Sequence, residues 1–203
     1  MKTKRSFLWA AVGLLSVVVV CLFLLWRYIY TSVPIGKMER FYAKHHTELE
    51  ELTDYANHAV DDSAFLWMML FPNGDEGLHV SPRGIDDTLY HGVDTFERDS
   101  LLRLVGMTGE EYYTIVHCLK TIGCISVKVC RDRRHTTIGY TYGGPFDEEF
   151  FGYCLYNGPM TDEERQHALA SPHLLTYNDS VVFAMGVLGA KAKERYLEKR
   201  NIK

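Results

Sequence analysis

Asp, His, Thr and Tyr crowd together once in this sequence, in Gly84-Ile85-Asp86-Asp87-Thr88-Leu89-Tyr90-His91-Gly92. A carboxylate that converges with an imidazole can move protons in hydrolytic chemistry. Asp86, Asp87 and His91 are therefore the candidate ligand-facing residues. The segment lacks the Asp spacing of a calcium loop.

Other reactive residue types are spaced less suggestively. Cys118 is expected on a helix and Cys124, Cys130 and Cys154 on strands. Cys124 and Cys130 are expected on one face of one strand, about 20 Å apart, and Cys154 two strands from Cys130, about 10 Å away. Both separations exceed the reach of a disulfide. The expected reading is small apolar thiols in the core. A Cys/His nucleophile pair would need long-range contacts that the sequence does not display.

The nine histidines include no HExxH and no Cys/His set at zinc-finger spacing. Glu164-x-x-His167 has the spacing of half a di-iron site, without its partner motif. His45 and His46 are adjacent and point to different sides of their helix. No metal and no cofactor is expected. The acidic pairs Asp61-Asp62 and Asp147-Glu148-Glu149 fall at expected turns, and Glu110-Glu111 at a helix N-terminus, where negative charge is favourable. Gly186-Val187-Leu188-Gly189-Ala190-Lys191 lacks the Lys-Ser/Thr ending of a phosphate loop and reads as a strand-to-helix turn.

These residues must be positioned by the surrounding elements. Met38, Tyr42, His45, Leu49, Leu52, Ala56 and Ala59 repeat at helical spacing over about residues 37–60. Phe41, Tyr55 and Val60 widen that stripe, as for a helix packed on its own domain, and the flanks lack the charge pairs of a coiled-coil dimer. Ala64–Phe71 is a short apolar run, followed by Asn73-Gly74 and Leu78-His79-Val80, which predicts a β-hairpin. Ser81–Phe96 reads mainly as loop. Leu101–Val105 is helical up to Gly106. Thr108 and Glu111 form a capping box that opens a helix ending at Gly123.

Cys124–Arg131, Thr136–Tyr142 and Phe150–Tyr156 predict an antiparallel meander, with Arg131, Arg133 and Arg134 solvating a hairpin tip. Thr161 with Glu164 caps a further helix to about Ala170. Val181–Leu188 predicts a buried strand and Ala190–Arg200 a basic last helix that could meet anionic lipid if it folds back. Helices and strands mix without strict βαβ alternation, so the fold class is α+β. No internal repeat or low-complexity tract is present.

Ser6–Trp26 holds 21 residues and no charge. A helix of that length reaches about 31 Å, the thickness of a bilayer core. Lys2, Lys4 and Arg5 precede it. Trp9, Trp26, Tyr28 and Tyr30 sit where interfacial aromatics are expected. The run is longer than a signal-peptide core and no small-x-small cleavage site follows. The expected organisation is a basic head at 1–5, a transmembrane anchor at 6–27, a linker at 28–36 and one domain at 37–203. Arg27, Lys37 and Arg40 lie close on the other side and make the charge bias shallow, and the five-residue basic head still favours the N-terminus in the cytoplasm and the domain outside.

The chain's 22 Lys and Arg, less the three of the head, leave 19 against 26 Asp and Glu over residues 27–203, a net of −7. That balance speaks against nucleic acid as a partner. A winged-helix drawing of residues 100–134 would also put Glu110 and Glu111 at the start of its recognition helix. The leading expectation is a single-pass membrane protein whose extracytoplasmic domain binds an envelope protein partner without catalysis. The alternatives are an envelope hydrolase using the Asp86–His91 loop and a membrane-tethered cytoplasmic regulator.

Overall fold

The computed structural model describes residues 13–23, 35–82, 88–91, 95–143, 149–185, 193–194 and 196–198, with the backbone alone at 88–91, 95–96, 142–143 and 149. Residues 13–23 (α1) are helical. The domain then runs α2 (Ile35–Ala59), β1 (Phe65–Leu70), β2 (Glu76–Ser81), β3 (Thr88–His91), α3 (Thr95–Leu104), α4 (Gly109–Ile122), β4 (Ser126–Val129), β5 (His135–Gly143), β6 (Glu149–Tyr156), α5 (Asp162–Ala170), β7 (Leu174–Thr176) and β8 (Val181–Met185). The fold is α+β, with one eight-stranded sheet in the order β3-β2-β1-β4-β5-β6-β8-β7. Every strand pair in it is antiparallel.

Local chemistry explains most of the elements. Gly74, at φ +89°, completes the turn of the β1–β2 hairpin, in which Phe65 pairs with Ser81 and Leu70 with Glu76. Thr108 caps α4 through the Glu111 amide while the Glu111 carboxylate returns to the Thr108 amide at 2.7 Å. Gly123 closes that helix in the left-handed region. Thr161 and Glu164 form the same reciprocal cap on α5.

The helices divide between the two faces of the sheet. Buried Met38, Tyr42, Leu49, Leu52 and Ala56 of α2 join Ile115 and Leu119 of α4 over Leu66, Val127, Ile138, Tyr153 and Phe183. The hydrophobic stripe of α2 is thus spent on its own domain. It bends at His45 (φ −121°, ψ 16°), and Tyr55, expected in the stripe, is exposed. On the opposite face, Ala168 of α5 and Met160 cover Val182, Cys154, Tyr156 and Leu174.

Several expectations are corrected. The segment read as loop between Ser81 and Phe96 contains β3, and α3 begins at Thr95. Both β3 and the three-residue β7 are edge strands. Their pairing partners define them, and the Gly, Asp and Pro around β3 mask its alternation. Cys124 and Cys130 do not share a strand face, because pairing begins only at Ser126. Cys124 enters the helix-covered core, whereas Cys130 flanks the opposite face. The meander order itself holds, with Thr137 between Lys128 and Cys154. All five cysteines are free.

Nor do the arginines after β4 solvate a tip. Arg131 donates to the Ser81 hydroxyl. Arg133 donates to the Val60 carbonyl at 2.7 Å and to that of Asp61, just beyond α2, where a cation meets the negative end of the helix. Arg134 holds both oxygens of Glu164, at 2.9 and 2.7 Å.

That last pair has a pH signature. The Arg134 guanidinium, and then the Thr161 amide, hold the Glu164 carboxyl down at about 2 from an ordinary 4.5. A carboxylate depressed on folding stabilises the fold above its unfolded value, and the gain is lost as pH falls through the folded value. Unfolding midpoints measured from about pH 5 down to pH 2 should therefore fall more steeply for the parent than for Glu164→Gln, with most of the gap closed near pH 2. Parallel curves would remove the assignment. The site is partly open to water, with 22% of the Glu164 side chain exposed, so screening trims the effect.

Candidate functional site

Asp86 and Asp87 lie outside the described residues. His91 is placed by its backbone, which pairs with Gly77 at the edge of the sheet. The described cavities are built elsewhere. One, of about 320 Å³, lies between α2 and α4, with Glu48 and Glu51 on one wall and His117 and Cys118 on the other. A second, of about 540 Å³, lies between Asp99, Arg103 and Thr108.

The described chemistry concentrates on the sheet face that α5 covers only at its β6-β8-β7 end. Register places Trp67, His79, Lys128, Thr137 and Cys154 in one row across that face, with Phe65 and His135 in the next. No described helix lies over β1, β2 and β4 on this side. The Lys128 ammonium stands 5.4 Å from the Phe65 ring centre and 5.8 Å from that of Trp67, within cation–π range. The His79 ring packs edge-on to Phe65 at 5.1 Å and lies 6.4 Å from Trp67. Both His79 ring nitrogens and the hydroxyl of buried Ser126 are shut off from solvent without a hydrogen-bond partner. Such groups are costly to leave unmade, and shut off in this way they are a cost to the fold.

Beside this platform is a contact the sequence does not announce. Cys130 Sγ lies 3.6 Å from His135 Nε2 across the β4–β5 turn. The five-residue separation was available in the sequence, but only the strand register turns it into a meeting. Thr137 Oγ1 stands 3.6 Å from Cys154 Sγ, and His135 packs on Tyr156 at 5.3 Å.

Electrostatics decides what the pair can do. Burial pushes the Cys130 thiol up and the His135 imidazole down. An activated nucleophile needs the reverse, a thiolate beside an imidazolium. The pair is a neutral thiol against a neutral ring. Burial also raises Cys154, and pushes Cys124 up to about 12.

The remaining candidates resolve into structure. Glu164 of the Glu164–His167 spacing is consumed by its cap and by Arg134. His45 is half-buried and His46 exposed, on separate sides of α2. Among the described residues, no group of three His, Cys, Asp or Glu is placed to hold a metal ion. The Gly186–Ala190 turn lies outside the described residues. Against known proteins, no family model, no curated protein and no solved structure matches this chain.

Proposed function

We propose that this chain is a single-pass membrane protein, anchored through residues 6–27 with its N-terminus in the cytoplasm. Its domain at 37–203 works outside the membrane by binding an envelope protein partner. The observation that carries the membrane reading is α1. All of residues 13–23 are exposed, and Leu14, Leu15, Val17, Val18, Val19, Val20, Leu22 and Phe23 each show 46–69% of their surface. A helix that is apolar all round needs a core or a bilayer, and this one packs on no core. Among the described residues no helix is long and apolar enough to cross a membrane; α1 is the described part of the 21-residue uncharged run.

The binding role rests on the half-buried sheet face that no described helix covers. Phe65 and Trp67 offer half-buried aromatic area and Lys128 a half-buried charge. Aromatic surface with a few polar points is the composition of a recognition patch. The pKa directions at Cys130 and His135 weigh against nucleophilic chemistry beside it.

Three measurements test the reading. The full chain should remain with membranes through carbonate and high-salt washes, and its domain should be digested when protease is added to sealed right-side-out vesicles. Release by salt removes the anchor; protection until detergent is added reverses the orientation and restores the tethered regulator. In cells lacking the protein, Trp67→Ala with Lys128→Glu should abolish rescue of the deletion phenotype, while Asp87→Ala with His91→Ala should rescue fully. The opposite pattern, at equal expression, would establish the hydrolase reading.

A further inference from the structure

We propose that the first half of α2 is a docking surface for anionic lipid headgroups, an inference that rests on residues 6–27 being the anchor. Lys37, Arg40 and Lys44 follow at i, i+3 and i+7, so they form one stripe about 10 Å long. All three are exposed. None has an ion-pair or hydrogen-bond partner among the described residues. The first turn of α2 contains no acidic residue, although a helix N-terminus favours one, so the positive end of the helix adds to the stripe.

Charge along α2 is segregated by position. After Lys44 every formally charged residue of the helix is acidic: Glu48, Glu50, Glu51 and Asp54. In the first half the one carboxylate, Glu39, accepts a hydrogen bond from the Tyr196 hydroxyl. That contact returns the C-terminal end of the chain to the start of α2, beside Leu197, whose apolar side chain is 40% exposed. The basic half of α2 is the half joined to the anchor. Residues 27–34 can reach at most about 27 Å, which confines the stripe to the neighbourhood of the headgroups. Attraction to an anionic surface dies away within about 8–10 Å, so a short tether is the condition for it to act. The acidic second half is repelled by the same surface. Together they would stand the domain on its α2 N-terminus and turn the open sheet face to the side, free for a partner.

The test uses the full chain in lipid nanodiscs of phosphatidylcholine, alone or mixed with phosphatidylglycerol. Acetylation of Lys37 and Lys44 by a water-soluble ester is read by mass spectrometry against Lys120, whose side chain is 60% exposed on α4. Phosphatidylglycerol should slow acetylation of Lys37 and Lys44 about threefold or more relative to Lys120, and high salt should restore it. Arg40→Glu, a surface change, should remove most of that protection. Equal rates in both lipids would overturn the docking surface while leaving the anchor intact. Protection by inorganic phosphate in phosphatidylcholine discs, matching that by the lipid, would assign the stripe to free anions instead. Failure of the chain to enter either disc would remove the anchor and, with it, this proposal.

Discussion

Replacing Tyr153 by alanine is expected to cost about 4 kcal/mol, the usual loss for truncating a large buried aromatic. The melting temperature of the full chain in detergent should fall by about 10 °C. Tyr153 on β6 is fully buried. Its ring meets Phe41 at 6.0 Å, Tyr42 at 5.8 Å, Tyr140 at 6.1 Å and Phe183 at 5.4 Å, the last edge-on. Its hydroxyl donates to the Met38 carbonyl at 3.1 Å.

One side chain thus ties the centre of the sheet to the start of α2, the element that leads to the anchor. Burial raises the phenol well above its ordinary value, so it stays protonated and able to donate at neutral pH. Tyr153→Phe keeps the ring and removes the bond, and should cost about 1 kcal/mol. Near-equal losses for the two variants would mean that the hydroxyl, not the aromatic cluster, holds α2 down. A loss under about 1 kcal/mol for alanine would show that the cluster repacks around the gap.

What could be read in advance divides along sequence distance. The caps of α4 and α5 involve residues three apart, so their chemistry is visible in a few letters, and both form. The hairpin at Asn73-Gly74 is equally local. The stripe of α2 is legible because burial repeats with the helical turn. Edge strands β3 and β7 are short and gain their identity from a neighbour, which no local pattern records.

The same distance rule governs the candidate site. Arg131, Arg133 and Arg134 look like a solvated turn, yet their partners are Ser81, Val60, Asp61 and Glu164, some of them more than seventy residues away. Cys130 and His135 meet only because β4 and β5 pair in the register that sets Val129 opposite Thr136. The platform of Trp67, His79 and Lys128 is an alignment of three strands. Each residue alone reads as an ordinary strand position.

The second large effect is at Gly152. A β-carbon there would stand 2.5 Å from the Ile138 carbonyl oxygen and 2.9 Å from the Phe150 ring. The ring can turn aside, but the carbonyl belongs to the backbone of β5, one residue before a register shift between Gly139 and Thr141. Gly152→Ala should therefore separate two central strands and cost about 3 kcal/mol, at the upper end of overpacking.

Gly139, directly opposite, is the control. Its β-carbon would crowd the Ser126 hydroxyl and the Phe150 ring, both side-chain groups that can rotate, with no backbone atom among its nearest contacts. Gly139→Ala should cost less than Gly152→Ala in the same denaturant titration. The reverse order would mean that Phe150, not the strand backbone, is the rigid partner. The comparison bears on function as well as stability. The Phe150 ring lies against the two glycines beside Ser126, at the border of the open platform. If strand separation is the mechanism, Gly152→Ala should also weaken rescue at a temperature where the variant remains folded, because the row that runs from Trp67 and Lys128 through Thr137 to Cys154 is broken between β5 and β6. Full rescue at that temperature would confine the effect of the glycine pair to stability.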